Sequence, residues 1–542
     1  MTRHAWLATC LAAALLGACD SPSPRSTTQA NPKATAQLPS GSITITSTKP
    51  APIPTPQMTS TVTSFGPEAE RFPGDINPMT GLPVMDPELL KIPAVLVSIS
   101  HFPAAGRPQA GLSIAPFVYE FSITNGETRF LTAFYGQFPE PEIPTTGECE
   151  VRTGVFEQTG TVLGNKVWLD SNRNGAEEIG EPGIPGICVR LRDELGNVLQ
   201  RTTTDTNGMY GFNVDAGRSY SLQFERPDYL DFTRQNAGNE DLDSDVDSAT
   251  GTTSVFEVAQ AVRDWDGGMV LNRASGQEAP NASAMPQAEV GPVRSGRLLY
   301  AYLADSYTNS CLIYAFASPE VLAKLPHCAF VAHEETNGGE TISIDRMRAV
   351  AEDNMRHTSN RPFNYASNVY SELPPPGGSP ALRLNVFFSN IDQSSWIYDP
   401  LYQAYLRFVD DADIKTRGVV HPDVDRLTGR QLHFENVIVA MADTEVVTPS
   451  NLDIHMEAGN TGPARLFRNG QVFSITWSTR GGEYEKQTGV RRPIQFLNPD
   501  GSPAALKPGH TWVIIVTPFS PFEPQGAGAY LIKYAPPAGE AQ

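Results

Sequence analysis

The residues best suited to bind a ligand form a short loop in the first half of the chain. Oxygen-bearing side chains alternate along it, and the predicted ligand positions are Asp170, Asn172, Asn174, Ala176, Glu178 and Glu181. This spacing is typical of a calcium loop of the EF-hand type. In such a loop, side-chain oxygens, one backbone carbonyl, one water-mediated group and a bidentate glutamate surround a hard cation. Gly175 supplies the sharp turn that a side chain would obstruct. The sequence therefore predicts a Ca²⁺ site.

The segments on either side of this loop do not predict the two helices of an EF-hand. Val167 and Trp168 are typical of a strand, whereas Pro182 and Pro185 prevent a helix directly after the loop. The alternative is an Asn/Asp-rich turn that binds no metal, but agreement at most ligand positions favours calcium. We therefore expect a calcium loop that is held between strands.

The sequence around the loop resembles a known module. The likeness is carried by Gly164-Asn-Lys-Val-Trp-Leu-Asp-Ser-Asn-Arg-Asn-Gly, Glu181-Pro-Gly-Ile-Pro-Gly-Ile-Cys-Val-Arg-Leu and Thr203-Thr-Asp-Thr-Asn-Gly-Met-Tyr-Gly-Phe212. These motifs resemble the SdrD B-like repeats of bacterial surface adhesins over residues 160–271. The resemblance implies a prealbumin-like β-sandwich that is stiffened by Ca²⁺. A following acidic run adds candidate calcium ligands, although a solvated loop has the same composition: Glu240, Asp241, Asp243, Asp245 and Asp247.

The N-terminal residues predict export and lipidation. Arg3 precedes a short apolar run, and Leu16-Gly-Ala-Cys19 matches the bacterial lipobox, whose cysteine becomes the acylated N-terminus. An ordinary signal peptide with an incidental cysteine is the alternative, but the small residues before Cys19 favour lipidation. We predict a signal peptide over residues 1–18 and a disordered tether, rich in Pro, Ser and Thr, over residues 19–75. The protein is then extracytoplasmic and anchored to the membrane by its lipid.

The net charge and the cysteines of the chain argue against nucleic-acid binding and zinc binding, and they favour disulfides. The 542-residue chain has a net charge of −20 and only 18% charged residues, so a basic surface for nucleic acid is not expected. Four cysteines remain once Cys10 is removed and Cys19 is acylated, and none has the spacing of a zinc pair. Outside the cytoplasm an even number favours disulfides. The sequence leaves their connectivity open, and the candidate pairs are Cys149 with Cys188 and Cys311 with Cys328.

A second resemblance covers residues on both sides of the module. It is carried by Asn77-Pro-Met-Thr-Gly-Leu-Pro, Arg107-Pro-Gln-Ala-Gly-Leu-Ser, Thr128-Arg-Phe130 and, much later, Val290-Gly-Pro-Val-Arg-Ser-Gly-Arg297. These motifs resemble the YerB-like lipoproteins, whose N- and C-terminal domains have no established activity. We expect an N-terminal domain built from residues 76–138 and 288–373, with the module inserted in a surface loop, and a C-terminal domain over residues 381–538. The predicted fold class is α+β: a split mixed α/β domain, an inserted calcium-binding β-sandwich and an antiparallel β domain.

The sequence lacks the usual motifs of hydrolases and phosphate-binding enzymes. A group of arginines is the remaining candidate site, and its members are Arg107, Arg129, Arg294 and Arg297, together with Ser295. Rejoining the split domain brings the strand of Arg129 beside a loop that enters a helix, and helix N-termini favour anions. We therefore predict an anion-binding cleft. The alternative is that the arginines pair internally with Glu120 and Asp305.

These patterns favour a binding or structural protein of the bacterial cell envelope. Its predicted cofactor is Ca²⁺, and its predicted partners are the membrane, through the lipid, and a cell-wall or surface ligand. The alternative is a hydrolase or transferase that acts on wall polymers, with Glu120 or Asp305 as acid or base. His421, Asp423 and Asp425 also alternate, but we expect a polar turn there rather than a metal site.

Overall fold

Strands dominate the part of the chain that the structure, a computed structural model, describes. That part comprises residues 64–139, 148–178, 181–237, 242–259, 264–272, 289–326, 328–330, 341–358 and 361–540. Cys19, the predicted signal peptide and most of the predicted tether lie outside it, as do Glu240 and Asp241. Among the described residues, no helix combines the length and the apolar character needed to cross a membrane.

A central sheet of eleven strands joins distant parts of the sequence. In spatial order its strands are Ala329–Phe330, Cys311–Tyr314, Val95–Ser100, Glu127–Phe134, Phe117–Thr124, Thr511–Val516, Asn436–Met441, Thr461–Arg468, Gln471–Ser478 and Ser379–Pro380, and Gln495–Leu497 also pairs with Gln471–Ser478. The first five come from the predicted N-terminal domain, and the others come from later residues. The two parts of the chain on either side of the module therefore build one sheet.

The prediction of a separate antiparallel C-terminal domain is wrong. Thr511–Val516 pairs in parallel with Phe117–Thr124 on one side and with Asn436–Met441 on the other, so it lies inside the shared sheet. All its residues are buried, and its run of Trp, Val and Ile is the pattern of a parallel strand that is covered on both faces. A continuous apolar strand cannot close an exposed antiparallel meander, because one of its faces would remain in water.

A second sheet of seven strands covers one face of the central sheet. Its strands are, in spatial order, Val420–Pro422, Ala404–Asp410, Asp392–Asp399, Arg383–Ser389, Ala529–Lys533 and Phe522–Gly526, with His433–Phe434 also paired to Ala404–Asp410. Trp396 of this sheet packs on Trp512 of the central sheet, with ring centroids 5.1 Å apart. Alternate residues of the central strands contribute to this layer and to the opposite one, as the strand pleat requires.

Helices and small sheets complete the host. The α-helices of the described residues are Leu299–Ser306, Pro319–Leu322, Ile344–Thr358 and Glu483–Thr488, and the 3₁₀ helices are Ala69–Arg71, Pro87–Lys91, Ala104–Gly106, Leu112–Ile114 and Ile414–Thr416. Smaller sheets pair Ser64–Phe65 and Ala505–Leu506 with Val369–Ser371, Glu289–Val290 with Ile342–Ser343, and Thr444–Thr448 with Asn451–Ile454. Leu299, Tyr300 and Leu303 pack with Phe121 and Leu131 on the face of the central sheet that is opposite the second sheet.

The inserted segment folds as a β-sandwich. One of its sheets contains Leu230–Phe232, Gly267–Leu271, Thr161–Leu169 and Met209–Val214, and the other contains Phe256–Glu257, Ser219–Glu225, Cys188–Asp193 and Val198–Thr203. The two sheets enclose a core that includes Val167, Leu191, Phe212 and Leu222 and is distinct from the cores around the central sheet. Each buried aliphatic or aromatic side chain contributes about 1.5–3 kcal/mol. The insertion therefore has its own source of stability.

Two disulfides lie at the ends of strands. Cys149, which precedes the sandwich, is bonded to Cys188 at the start of strand Cys188–Asp193, and Cys311 is bonded to Cys328. The Cα atoms are 5.4 Å apart in both pairs. The first bond fixes the entry of the insertion to its own sheet.

Candidate functional site

The predicted calcium loop folds around its first carboxylate. Asp170 directly follows strand Thr161–Leu169 and is 1% exposed. Its carboxylate accepts hydrogen bonds from the backbone N–H groups of Arg173, Asn174 and Gly175, at 2.5, 3.1 and 2.8 Å. The hydroxyl of Thr233, from a neighbouring strand end, donates to the same carboxylate. These bonds fix an acidic oxygen at the centre of the loop.

Glu181 closes the loop from its other end. Its Oε1 accepts from the N–H of Ser171 at 2.8 Å, and its Oε2 accepts from the indole N–H of Trp168 at 3.1 Å. Burial and the nearby charge of Asp170 raise the pKa of Glu181. Asp170 and Glu181 are both buried although most of the loop between them is exposed. Their carboxylates repel each other, and a divalent cation between them would remove that repulsion.

The remaining loop positions offer only oxygen ligands as well. The side-chain oxygens of Asn172 and Asn174 accept from the backbone N–H groups of Asn174 and Ala176, at 2.9 and 2.8 Å. Gly175 has φ +85°, and a Cβ there would lie 2.6 Å from the Cβ of Ala237. Glu178 accepts from the side-chain amides of Asn172 and Asn174 at the rim. The residues present therefore fit Ca²⁺ in donor chemistry and in the turn, and calcium binding itself stays a prediction.

A second acidic segment lies beside the loop. Ala176 forms an isolated β-bridge with Asp243, and the backbone N–H of Asp266 donates to the Asp245 carboxylate at 2.7 Å. Burial, and then the charges of Glu177 and Asp245, raise the pKa of Asp266 to about 8. Asp247 instead belongs to a turn, where it accepts from the N–H and the hydroxyl of Thr250. The predicted acidic run thus divides into buried carboxylates near the loop and a turn residue.

Three of the predicted arginines lie together beside helix Leu299–Ser306. Arg129 is paired across the strands with Phe121, so both side chains lie on the helix-covered face of the central sheet. Its Nη1 donates to the backbone oxygen of Ser295 at 3.5 Å, and Nη1 of Arg297 donates to the Ser295 hydroxyl at 3.0 Å. Burial, and then the charges of Arg297 and Arg294, lower the pKa of Arg129 to about 9. We call Arg129, Arg294 and Arg297 the arginine group.

The internal partners of the arginine group differ from those predicted. Asp305 forms an ion pair with Arg491 at 3.1 Å, and Glu120 lies on the opposite face of the central sheet. Glu127 is the acid whose charge reaches Arg129 and Arg297. Within the described residues, the Nε atoms of Arg129 and Arg297 have no hydrogen-bond partner. Two buried guanidinium donors of the group therefore lack a partner among the residues that the structure describes.

The prediction that all four arginines converge is wrong for Arg107. Its Nη1 donates to the backbone oxygen of Asp410 at 2.6 Å and lies 3.4 Å from the Asp410 carboxylate. Its guanidinium also lies over the ring of Phe102, 4.9 Å from the centroid. Strand Ala404–Asp410 of the second sheet supplies this carboxylate, so Arg107 is held between the two large sheets rather than beside the helix.

A group of buried charged residues lies between the two large sheets. We call it the inter-sheet cluster, and its members are His101, Glu120, Asp392, Arg407 and Asp423. None is more than 3% exposed. Nη1 of Arg407 binds Asp423, and Nη2 lies 3.3 Å from Oε1 of Glu120. The indole N–H of Trp512 donates to Glu120 at 2.8 Å, and the same ring packs on the Arg407 guanidinium.

Burial governs the titration of this cluster. It raises the pKa of Glu120, and together with the charge of Glu120 it raises the pKa of Asp392 well above its usual range. Burial and the nearby Arg107 and Arg407 lower the pKa of His101. Nδ1 of His101 is 2.7 Å from the hydroxyl of Thr128. A neutral imidazole with a proton on Nδ1 fits this contact.

Sequence reasoning missed His101, Asp392 and Arg407 as members of a common site. The available signal was a charged residue within an otherwise apolar strand, as at Glu120 and Arg407. The prediction of a polar turn after Pro422 is correct only in part, because Asp423 binds Arg407. Asp425 accepts from the backbone N–H groups of Gly111 and Ser113, and His421 pairs with Asp411 at 3.1 Å. These side chains diverge and do not form one metal site.

Three segments of the chain match known family models. Residues 161–269 match the SdrD B-like domain, and residues 79–144 and 384–513 match the N-terminal and C-terminal domains of "Protein of unknown function (DUF3048)". The chain carries both DUF3048 domains with an SdrD B-like domain inserted between them. The family composition predicted from the sequence motifs is thereby confirmed.

Curated relatives match through the inserted domain. Serine-aspartate repeat-containing protein F of Staphylococcus epidermidis is 36% identical over 149 residues, which are 26% of this chain and 9% of that protein. Serine-aspartate repeat-containing protein I of Staphylococcus saprophyticus is 47% identical over 81 residues, 15% of this chain and 4% of the relative. A fibrinogen-binding protein of Staphylococcus epidermidis is 38% identical over 95 residues, 17% of this chain and 9% of the relative. The chain thus spans less than a tenth of these relatives.

A solved structure of similar extent is the YerB protein from Bacillus subtilis. It has 16% sequence identity and a TM-score of 0.41, and the match covers 81% of this chain and 96% of that one. In the present chain, the two DUF3048 domains share the inter-sheet cluster. His101 and Glu120 belong to the N-terminal domain, and Asp392, Arg407 and Asp423 belong to the C-terminal domain. The SdrD B-like domain contains the predicted calcium loop.

The SdrD B-like insertion also contacts the C-terminal DUF3048 domain. Arg152, which leads into the insertion, pairs with Asp399 at 3.0 Å, and its guanidinium lies 4.2 Å from the ring centroid of Tyr402. Asn207 of the insertion donates to Glu435 at 3.2 Å. These polar contacts hold the sandwich against the second sheet at the side where His433 and Tyr402 lie.

Proposed function

We propose that the protein is a lipid-anchored, extracytoplasmic binding protein of the bacterial envelope, whose SdrD B-like domain is an adhesin-type module stiffened by Ca²⁺. The observation that carries this proposal is the loop from Asp170 to Glu181, where two largely buried carboxylates face a set of oxygen ligands. Matches to serine-aspartate repeat-containing proteins and to a fibrinogen-binding protein support a role in attachment to a surface ligand. Calcium would stiffen the module, because it neutralises both carboxylates and joins the two ends of the loop.

The contacts of the insertion support a rigid rather than a freely swinging module. The Asp399 carboxylate accepts from Arg152 and also from the backbone N–H of Phe156 at 2.7 Å. A charged acceptor that binds two donors is stronger than a single neutral hydrogen bond. The module would therefore be presented at a fixed angle by the DUF3048 domains, while the predicted tether separates both from the membrane.

Lipidation at Cys19 is the first part of the proposal to test. Acyl chains contribute about 0.8 kcal/mol for each buried CH₂ group, so several chains give stable anchoring. We expect Cys19→Ser to move the protein from the membrane fraction to the soluble extracytoplasmic fraction. Fractionation followed by immunoblotting measures this change. Cys10→Ser is the matched control, because this cysteine lies inside the predicted signal peptide and its replacement should leave the protein on membranes.

A Cys19→Ser protein that still sediments with membranes would show that the anchor lies elsewhere. Gel mobility separates this outcome from failed secretion, because an unexported precursor keeps its signal peptide and migrates more slowly. Detergent phase partitioning then shows whether the processed protein still carries a lipid. The calcium part of the proposal does not depend on this result.

We further propose that the arginine group binds an anionic ligand of the envelope. Guanidinium groups recognise carboxylates and phosphates through paired N–H donors, and helix Leu299–Ser306 begins beside Arg297. The Nε atoms of Arg129 and Arg297 are buried donors that have no partner within the described residues. Glu120, the predicted acid or base of the alternative enzyme, lies on the other face of the sheet beside Arg407. Binding is therefore better supported than catalysis at this group.

Titration with anions tests the arginine group. We expect the protein to bind poly(glycerol phosphate), and we expect Arg297→Ala to weaken that binding by roughly tenfold or more, because a charge-assisted hydrogen bond contributes about 1.5–3 kcal/mol. Isothermal titration calorimetry measures both affinities. Arg71→Ala is the control, since its guanidinium is 69% exposed beside Glu68. Equal binding by the wild type and the Arg297 variant would leave the arginine group with a structural role alone.

A further inference from the structure

We propose that His101, Glu120 and Asp392 form a divalent-metal site that joins the N-terminal and C-terminal DUF3048 domains. Ligand atoms of the three residues all lie within 4.8 Å of one another. A cation between them needs only a small contraction to reach the bond lengths of roughly 2.0–2.2 Å that Zn²⁺ makes with nitrogen and oxygen. The site is separate from the calcium loop and does not rest on the function proposed for it.

Unsatisfied polar atoms point to an occupant. Nε2 of His101 and Oδ2 of Asp392 are buried and have no hydrogen-bond partner within the described part of the chain. Both side chains are only 1% exposed, so bulk water does not solvate them. A buried polar atom without a partner costs about 1–3 kcal/mol, and two of them in one cluster are not expected unless something else binds there.

The charges of the cluster leave room for one divalent cation. Three carboxylates, those of Glu120, Asp392 and Asp423, face the single guanidinium of Arg407. Arg107 and Asp410 form an ion pair beside the cluster, so their charges cancel. Metal binding removes the protons of ligating carboxyl groups, and the fully ionised cluster then carries two negative charges more than Arg407 neutralises. A divalent ion supplies the matching charge.

The surroundings suit metal ligation by these side chains. Nδ1 of His101 lies 2.7 Å from the hydroxyl of Thr128 and 3.6 Å from Oδ1 of Asp392, and these contacts can hold the tautomer that leaves Nε2 free to bind a metal. Glu120 keeps lone pairs beyond those used by Trp512 and Arg407, because each carboxylate oxygen accepts more than one bond. One imidazole and two carboxylates form a donor set that suits Zn²⁺ or Mn²⁺ better than Ca²⁺.

The position of the ligands gives the metal a structural role. His101 and Glu120 lie at strands Val95–Ser100 and Phe117–Thr124 of the central sheet, whereas Asp392 begins strand Asp392–Asp399 of the second sheet. A metal bound by all three would fasten the two sheets to each other at the centre of their shared core. Because the site is enclosed, the ion would enter during folding and dissociate slowly.

The metal content of the full chain tests this inference. Protein produced with Zn²⁺ and Mn²⁺ in the medium, and then dialysed against EDTA, should keep about one equivalent of one of these ions per chain by mass spectrometry. Excess Ca²⁺ should not displace it. Protein that holds less than roughly a tenth of an equivalent, and that takes up neither ion on titration, overturns the inference.

Variants locate the ion. His101→Asn and Asp392→Asn should each lower the retained metal at least tenfold, whereas His455→Asn, at a surface histidine between Glu445 and Glu457, should not change it. If either ligand variant keeps the metal, or if the His455 variant loses it, the inference is wrong. Should the ligand variants fail to fold, the Co²⁺-loaded wild type decides. One paramagnetically shifted imidazole N–H supports the site, and none overturns it.

Discussion

Replacing Arg407 by methionine should lower the free energy of unfolding of the DUF3048 core by roughly 3–5 kcal/mol. Arg407 is fully buried and is the cation that contacts both Glu120 and Asp423. Methionine keeps most of the volume but leaves two carboxylates without this partner between the sheets. Removing one member of a buried ion pair costs more than the pair itself contributes, because the remaining charge stays desolvated.

Urea unfolding monitored by near-UV circular dichroism measures this loss, with Ca²⁺ present so that the inserted domain stays folded. Arg356→Met is the matched control. Arg356 is 65% exposed beside Asp353 on helix Ile344–Thr358, and an exposed pair contributes only about 0–1 kcal/mol. A double variant, Arg407→Met with Asp423→Asn, should recover part of the lost stability, since one uncompensated charge is removed with it. A loss below about 1 kcal/mol in Arg407→Met would contradict a desolvated ion-pair network.

Calcium should raise the melting temperature of the SdrD B-like domain. Extracellular calcium modules bind with dissociation constants of roughly 10⁻⁴–10⁻³ M, so about 10 mM Ca²⁺ reaches as much as 100 times the dissociation constant. Because Ca²⁺ would bind the folded domain and not the unfolded chain, it would raise the free energy of unfolding by up to about 2.7 kcal/mol. For a domain of about 100 residues this corresponds to an increase on the order of 10 °C.

The double variant Asp170→Ala, Glu181→Ala should lose the shift, because these two carboxylates face the ion from opposite ends of the loop. Differential scanning calorimetry of the full chain in Ca²⁺ and in chelator measures both values. Asp215→Ala is the control, since this carboxylate belongs to the same domain but pairs with Arg218 at the surface. Identical melting in Ca²⁺ and chelator would falsify calcium stabilisation, and a shift that survives in the double variant would place the ion elsewhere.

Local sequence patterns anticipated the short-range features well. The dipeptide Asn469-Gly470 is a strong local signal for a tight hairpin, and the structure pairs Thr461–Arg468 with Gln471–Ser478 across it. The alternating oxygens from Asp170 onward predict a calcium loop. In the structure the oxygens of Asp170 and Asn172 accept hydrogen bonds from the loop's own backbone, and calcium binding stays a prediction. Such features depend on residues that are close in sequence, so spacing alone carries the information.

The pairing of strands that are far apart in the sequence could not be predicted from the sequence alone. The apolar run from Trp512 to Val516 is typical of a buried strand, and its parallel neighbours in the structure are Phe117–Thr124 and Asn436–Met441. A continuous apolar run predicts that a strand is buried on both faces, but it does not predict which strands are its neighbours in the sheet. For the same reason a separate C-terminal domain was predicted where a shared sheet exists.

The sequence by itself determined the family composition and the inserted position of the SdrD B-like domain, because contiguous motifs carry both. Only the tertiary structure decided how the buried charges are arranged. In the structure Glu120 contacts Arg407, and Arg107 pairs with Asp410. Arg129 and Arg297 lie together on the other face of the sheet. Strand alternation sends successive side chains to opposite faces, and the register between strands far apart in sequence then selects which charges meet. Neither the face nor the register can be assigned until the sheet is assembled.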